Sequence, residues 1–123
     1  MGTRRRCAIL TLSDRVDIVV PGKSRLFRPD LPDKTVTFNW AEVTQVGVFK
    51  RDQFTVDCIC MVFELNHKES VELNENMEGW STLVKAVPIY LSGALKEEQW
   101  WDKVVWPTFE LCFTTIYSRP ANP

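Results

Sequence analysis

The sequence is poor in the residues on which most enzymes and metal proteins depend. It has one histidine and four cysteines in 123 residues, and no two cysteines have the C-x-x-C spacing of a zinc site. Gly-rich phosphate loops, G-x-S-x-G elbows and H-E-x-x-H helices are also absent. These absences exclude the enzyme and zinc-protein classes that such motifs define. We predict a protein that has no catalytic activity, cofactor or metal.

The sequence also lacks long apolar runs and a strong net charge. The apolar run at residues 7–12 is too short for a secretory signal and ends at Ser13 and Asp14. No stretch approaches the roughly 20 apolar residues that cross a bilayer. With a net charge of −1, the chain has no basic field to attract nucleic acid or anionic lipid. We expect a cytoplasmic protein that binds neither nucleic acid nor a membrane.

The chain does contain enough apolar material for one domain. Hydrophobic residues make up 45% of it, including five Trp and seven Phe, each of which can bury roughly 150–250 Å². We expect residues 1–123 to form a single domain, which is the usual outcome at this length. Cys58 and Cys60 lie two apart in a predicted strand and share a face, so we predict buried free thiols there.

Residues 40–87 alternate like a sheet and then change to a helical period. Residues 42–51 and 54–65 predict two strands joined by a polar hairpin at residues 50–53, and residues 70–73 predict a third. Residues 54–65 are apolar on both faces, which predicts a central strand covered on both sides. Gly47 predicts a bulge or a close approach of another chain segment.

An amphipathic helix follows these strands. Its apolar stripe repeats at intervals of three and four residues and comprises Met77, Trp80, Leu83, Val84, Val87 and Leu91. Asn74 or Asn76 is predicted to cap the helix, with Glu75 and Glu78 at its N-terminus, where negative charge is favourable. Pro88 predicts that the regular helix ends near residue 87.

Shorter elements flank this region. Early strands are predicted at residues 7–12, 16–20 and 35–40, a second short helix at 95–105 and a last strand at 108–117. The sequence therefore predicts an α+β fold. We expect an antiparallel sheet or partly closed barrel of about six to seven strands, with one amphipathic helix and a second short helix.

Two groups of side chains are candidates for binding a protein partner. Glu72, Glu75 and Glu78 form an acidic patch that suits a basic partner, although helix capping and solvation also account for it. Trp100 and Trp101 are adjacent in the second predicted helix, where neighbouring side chains point about 100° apart. Both cannot be buried in one stripe, and an exposed Trp is a typical interface anchor.

Two alternatives use other residues. A lipid- or phosphate-headgroup module would use the basic residues of a predicted loop, Lys23, Arg25 and Arg28. An enzyme of unrecognised type would need a deep polar pocket that brings together Asp57, Glu64 and His67.

The order of antiparallel strands followed by a packed helix resembles a pleckstrin-homology (PH-like) domain, although the chain continues well past the first helix. The sequence also resembles small bacterial proteins of unknown function in four segments: WAEVTQV, KRDQFTVDCICMVFEL, VELNENMEGW and WWDKVVWPTFE. The motif residues of that resemblance are Asp57, Glu64, Glu75, Gly79, Trp80, Trp101 and Pro107.

In size and acidic, motif-poor composition, the chain is also similar to immunity proteins, which neutralise toxins in bacterial competition. This resemblance implies a non-catalytic domain whose partner is another protein. Our leading expectation is therefore a protein-binding, immunity-like domain.

Overall fold

Seven strands and two α-helices follow one another in the computed structural model, which describes residues 7–22, 33–53, 56–106 and 113–120. The strands are β1 (Ala8–Thr11), β2 (Arg15–Val20), β3 (Lys34–Asn39), β4 (Val43–Gln53), β5 (Val56–Leu65), β6 (Ser70–Asn74) and β7 (Thr114–Ser118). The helices α1 (Trp80–Tyr90) and α2 (Glu97–Val105) come between β6 and β7 in the sequence. A 3₁₀ turn, Trp40–Glu42, joins β3 to β4.

The strands form two antiparallel sheets. The first has the order β1-β2-β3 and the second the order β6-β5-β4-β7. The strands of the described segments do not close into a barrel. The predicted α+β class, the strand number and the two helices are confirmed, and the arrangement fits a PH-like combination of sheet and helix.

The two sheets and both helices bury one shared core. Its aromatic centre consists of Phe38, Trp40 and Phe63, with ring centroids 4.9–6.2 Å apart in the tilted and edge-on geometries that aromatic rings favour. The indole N–H of Trp40 donates to the carbonyl of Leu12 at 2.9 Å, so this large ring is buried with its polar atom satisfied. The ring of Tyr90, at the end of α1, stacks on the Trp40 ring.

β5 occupies the central position that its sequence predicts. It pairs with β4 on one side and β6 on the other. Ile59, Met61 and Phe63 face the main core, while Cys58 and Cys60 are buried on the opposite face. Burial on both faces explains why the middle of this strand, residues 58–63, is apolar on both sides.

Residues 50–53 do not form the predicted polar hairpin connection. β4 continues through them and stays in register with β5 as far as Gln53 and Val56. The strand continues because both basic side chains have partners. Lys50 donates to the carbonyl of Val105 inside the fold, and Arg51 points to the opposite face, where it donates to Glu72. Polar composition was therefore a misleading signal for a turn.

The start of α1 also differs from the prediction. The N-cap is Gly79, with φ 89°, and the first turn holds no acidic residue. The predicted capping by Asn74 or Asn76 is wrong, as is the predicted placement of two glutamates at the helix N-terminus. β6 runs to Asn74, and the backbone of Glu78 is already bonded to the β1 segment, through Cys7 and Ile9. The chain is consequently free to become helical only after residue 78.

The end of α1 lies beyond Pro88, which the sequence predicted to stop it. Proline removes one backbone donor, but α1 continues for two further residues to Tyr90. The amide of Leu91 still donates to the carbonyl of Val87 at 2.9 Å, and Leu91 is buried. Burial of this last apolar residue of the predicted stripe favours the extra turn.

The predicted last strand is described only from Thr114, since residues 108–112 lie outside the described segments. Phe113 lies on the outer face of the second sheet, where its ring stacks on Phe49 and is half exposed. The ring lies so close to Gly47 that a Cβ there would overlap it. The β4–β7 register also shifts between Val46 and Gly47, which confirms the predicted bulge and close approach.

We predict that Gly79→Ala destabilises the protein much more than Gly93→Ala. Both glycines have φ near 90°, which disfavours any side chain by about 1–2 kcal/mol. A Cβ at residue 79 would also overlap the backbone carbonyl of Ile9, whereas a Cβ at residue 93 meets nothing within 4 Å. Urea unfolding should show a loss of at least about 3 kcal/mol for Gly79→Ala and about 1 kcal/mol for the control. Equal losses would contradict the close packing of β1 on the start of α1.

Candidate functional site

The predicted acidic patch is partly used by the fold itself. The Oε1 atom of Glu72 lies 2.7 Å from Nη2 of Arg51 in an ion pair. The carboxylate of Glu75 accepts the backbone N–H of Ile59 at 3.0 Å. Glu78 is exposed, although its backbone belongs to the β1 contact. Two of the three carboxylates thus have partners within the chain, and a binding role for this patch stays a prediction.

The two adjacent tryptophans lie in different environments. Trp100 is 1% exposed and Trp101 is 40% exposed, although their ring centroids are only 6.0 Å apart. Consecutive helical residues diverge around the axis, so Trp100 packs into the core while Trp101 stays at the surface. Trp101 is therefore the exposed member of the pair, a point that the sequence alone did not decide.

Two shallow grooves lie beside Trp101. The first, of about 280 Å³, is lined by Val84, Lys85, Pro88, Ile89, Lys96, Glu97 and Glu98. The second, of about 430 Å³, is lined by Glu97, Glu98, Trp101 and Asp102. The grooves share Glu97 and Glu98, so they form one continuous surface, which we call the α1–α2 surface.

The sequence of α2 explains the charge of this surface. Glu97 and Glu98 occupy the first helical turn, where negative charge is favourable. Trp101 and Asp102 follow them by four residues each, and residues four apart in a helix lie on the same side. None of the ion pairs among the described residues includes Glu97, Glu98 or Asp102. The ring of Trp101 is therefore bordered by carboxylates that form no ion pair within the described segments.

A buried lysine holds the opposite end of α2. Lys50 is 2% exposed, and its Nζ donates to the carbonyl of Val105 at 2.8 Å. The same atom lies 3.5 Å from Oδ2 of Asp57. Val105 is the last residue of α2, where helix carbonyls lack intrahelical partners and a cation is favourable. Lys50 therefore fixes α2 against β4.

The burial of Lys50 was not among the predictions from sequence. A usable signal was present, because Lys50 lies at even spacing from Val46 and Val48, which face the core. Strand alternation would have placed its side chain inside the fold.

The thiols of Cys58 and Cys60 are free and buried, as predicted. Burial is the main cause that raises the pKa of both thiols, and it raises the pKa of Cys60 to about 12, although the nearby Arg51 acts in the opposite direction. Both therefore stay protonated at neutral pH, which is unfavourable for a nucleophile or metal ligand. In the described segments, no group of three or more His, Cys, Asp or Glu residues is placed to hold a metal ion.

The residues of the enzyme alternative do not converge. Asp57 lies beside Lys50, whereas Glu64 is exposed seven residues further along β5, about 23 Å away at the usual rise of a strand. His67 lies in the loop after β5, with Nε2 3.0 Å from Oε2 of Glu42. The pocket that this constellation requires is not formed.

The headgroup alternative rests on residues that the structure does not describe. Lys23, Arg25 and Arg28 all lie within residues 23–32, outside the described segments. Neither helix in the described part of the chain has the length and hydrophobicity that crossing a membrane requires. The headgroup alternative therefore stays a prediction from sequence.

We predict that Lys50→Met destabilises the protein by about 2–4 kcal/mol in urea unfolding. The substitution keeps most of the side-chain volume but leaves the Val105 carbonyl and the Asp57 carboxylate without the lysine. The neighbouring Arg51→Met is the matched control, because Arg51 is on the other face and its ion pair with Glu72 is exposed to solvent. A loss no greater than that of the control would contradict the anchoring role of Lys50.

We also predict that the free energy of unfolding falls as the pH rises from 9.0, the ordinary thiol pKa, towards about 12. Because the native state holds the Cys60 proton more tightly than the unfolded state does, unfolding releases a proton in this range. Cys60→Ala should flatten this dependence in urea titrations at several alkaline pH values. An unchanged slope would show that Cys60 is not buried as described.

Comparison with known proteins leaves the family of this chain open. No protein-family model, curated protein or solved structure matches it. The sheet-and-helix arrangement is established, while the PH-like and bacterial family resemblances stay predictions. Support for a function must therefore come from the residues of this chain. Among the described residues, those of the α1–α2 surface provide the most support of this kind.

Proposed function

We propose that this chain is a non-catalytic protein-binding domain that contacts its partner through the α1–α2 surface. One observation carries the proposal. Ile89, 71% exposed, and Trp101, 40% exposed, border adjoining grooves together with three carboxylates that no ion pair of the described chain engages. Single exposed apolar residues are ordinary, but grouped ones beside a groove are typical of interaction sites.

The anchoring of α2 in the fold supports this choice of surface. Trp101 follows directly on Trp100, which is buried in the core, and the end of the helix is held by Lys50. An anchor residue that is already ordered loses little side-chain freedom on binding, so more of its contact energy contributes to affinity. Tryptophan is also among the residues that most often dominate interface energetics.

Within this class we propose the immunity-like role, in which the chain neutralises a partner toxin. Its support is the small size and acidic character of the chain, with pI about 5.8, together with the surface above. The headgroup and enzyme alternatives have no comparable support, because the basic loop is not described and Asp57, Glu64 and His67 do not converge. A gene neighbourhood that encodes a toxin, and rescue of growth by this chain, would test the immunity role.

Affinity capture from the host that makes the chain tests the binding proposal. Wild type should recover a partner that Trp101→Ala loses, since that substitution removes the exposed anchor and keeps the buried Trp100. With the purified partner, calorimetry should show at least about tenfold weaker binding for Trp101→Ala.

Trp106→Ala is the matched control, because Trp106 is 64% exposed and lines neither groove of the α1–α2 surface. It should capture the partner as wild type does. Equal affinity of wild type and Trp101→Ala for the partner would contradict the proposal.

A further inference from the structure

We infer that the α1–α2 surface takes an amphipathic segment of the partner, with apolar residues in its middle and basic residues at one end. This inference rests on the proposed function and specifies the chemistry of the partner. Three properties of the surface support it: the shape of the first groove, the charges around Trp101 and the unequal distribution of charge along the two grooves.

The first groove suits side chains of a peptide better than a small molecule. Its volume of about 280 Å³ lies at or below the lower end of typical ligand pockets, roughly 300–1,000 Å³. Val84, Pro88 and Ile89 give it an apolar lining from one side of α1. Apolar side chains of a docked segment would cover Ile89, which is otherwise the most exposed large apolar residue of the described chain.

The second groove suits a cationic side chain. It contains Trp101, whose ring face attracts lysine and arginine, together with Glu97, Glu98 and Asp102. An arginine on the ring could also form charge-assisted hydrogen bonds to the carboxylates around it. A phosphate or an acidic peptide would meet repulsion from all three carboxylates at this place.

The charges also set the direction of the bound segment. Lys85 and Lys96 line only the first groove, whereas Asp102 lines only the second. Basic residues of the partner must therefore lie over Trp101, and the opposite end of the segment must be neutral or acidic. A uniformly basic peptide would be repelled at the end beside Lys85, so the inference requires this asymmetry and not basic charge alone.

Two synthetic helical peptides of equal length test the inference. Both carry the same central leucines, and they differ in having arginines or glutamates at one end. When the arginine peptide is titrated into the isotope-labelled protein, it should shift the NMR signals of Ile89, Glu98 and the Trp101 indole. The glutamate peptide should leave them unchanged, and added salt should weaken binding of the arginine peptide.

Variants then test the two contacts separately. Trp101→Ala and Glu98→Lys should each weaken binding of the arginine peptide, by about tenfold for the aromatic anchor and by less for the single charge. Glu69→Lys is the matched charge control, because Glu69 lies in the exposed loop between β5 and β6. It should bind as wild type does.

The inference is wrong if both peptides bind equally, if neither binds, or if the shifts lie away from the α1–α2 surface. These results would leave the proposed function intact as long as Trp101→Ala loses the partner captured from the host. Conversely, a captured partner that binds wild type and Trp101→Ala equally well would overturn the proposed function, even if the arginine peptide binds as expected.

Discussion

The hydrogen bond from Lys50 to the last carbonyl of α2 is the contact on which the candidate surface depends. α2 packs against β4 and β7, with Trp100 and Val104 buried in the core. These apolar contacts pack the helix against the sheet, and the Lys50 ammonium donates to the carbonyl of Val105, the last residue of the helix. Because Trp101 lies on the same short helix, its place at the surface depends on that anchoring.

Carboxylates serve two distinct purposes in this molecule. The carboxylates on the sheet side have partners within the fold. Glu72 forms an ion pair with Arg51, Glu75 accepts a hydrogen bond from the amide of Ile59, and Asp57 forms an ion pair with Lys50. The carboxylates of α2, by contrast, have no such partners in the described part of the chain. They lie beside the exposed Trp101, and none of them belongs to an ion pair of the described residues. Sequence spacing cannot separate these two groups, because the difference depends on which cation or amide the fold brings near.

The parts of the fold that depend on local periodicity could be predicted from the sequence. The two-sided burial of β5, the divergence of Trp100 and Trp101 and the close approach at Gly47 all follow from period or residue size. The errors arise from contacts between distant residues. The carbonyl that Lys50 meets inside the fold lies 55 positions away, and α1 starts late because β1 binds the backbone of Glu78. The first groove depends on where the start of α2 lies relative to α1, which no local pattern contains.

α2 carries the proposed binding surface, and Lys50 holds the end of this helix. Hydrogen exchange of the backbone amides in wild type and Lys50→Met tests this most directly. We predict that the amides of α2 exchange markedly faster in the variant, while those of the central strand β5 keep more of their protection. Unchanged exchange in α2, or a uniform loss across both elements, would contradict it.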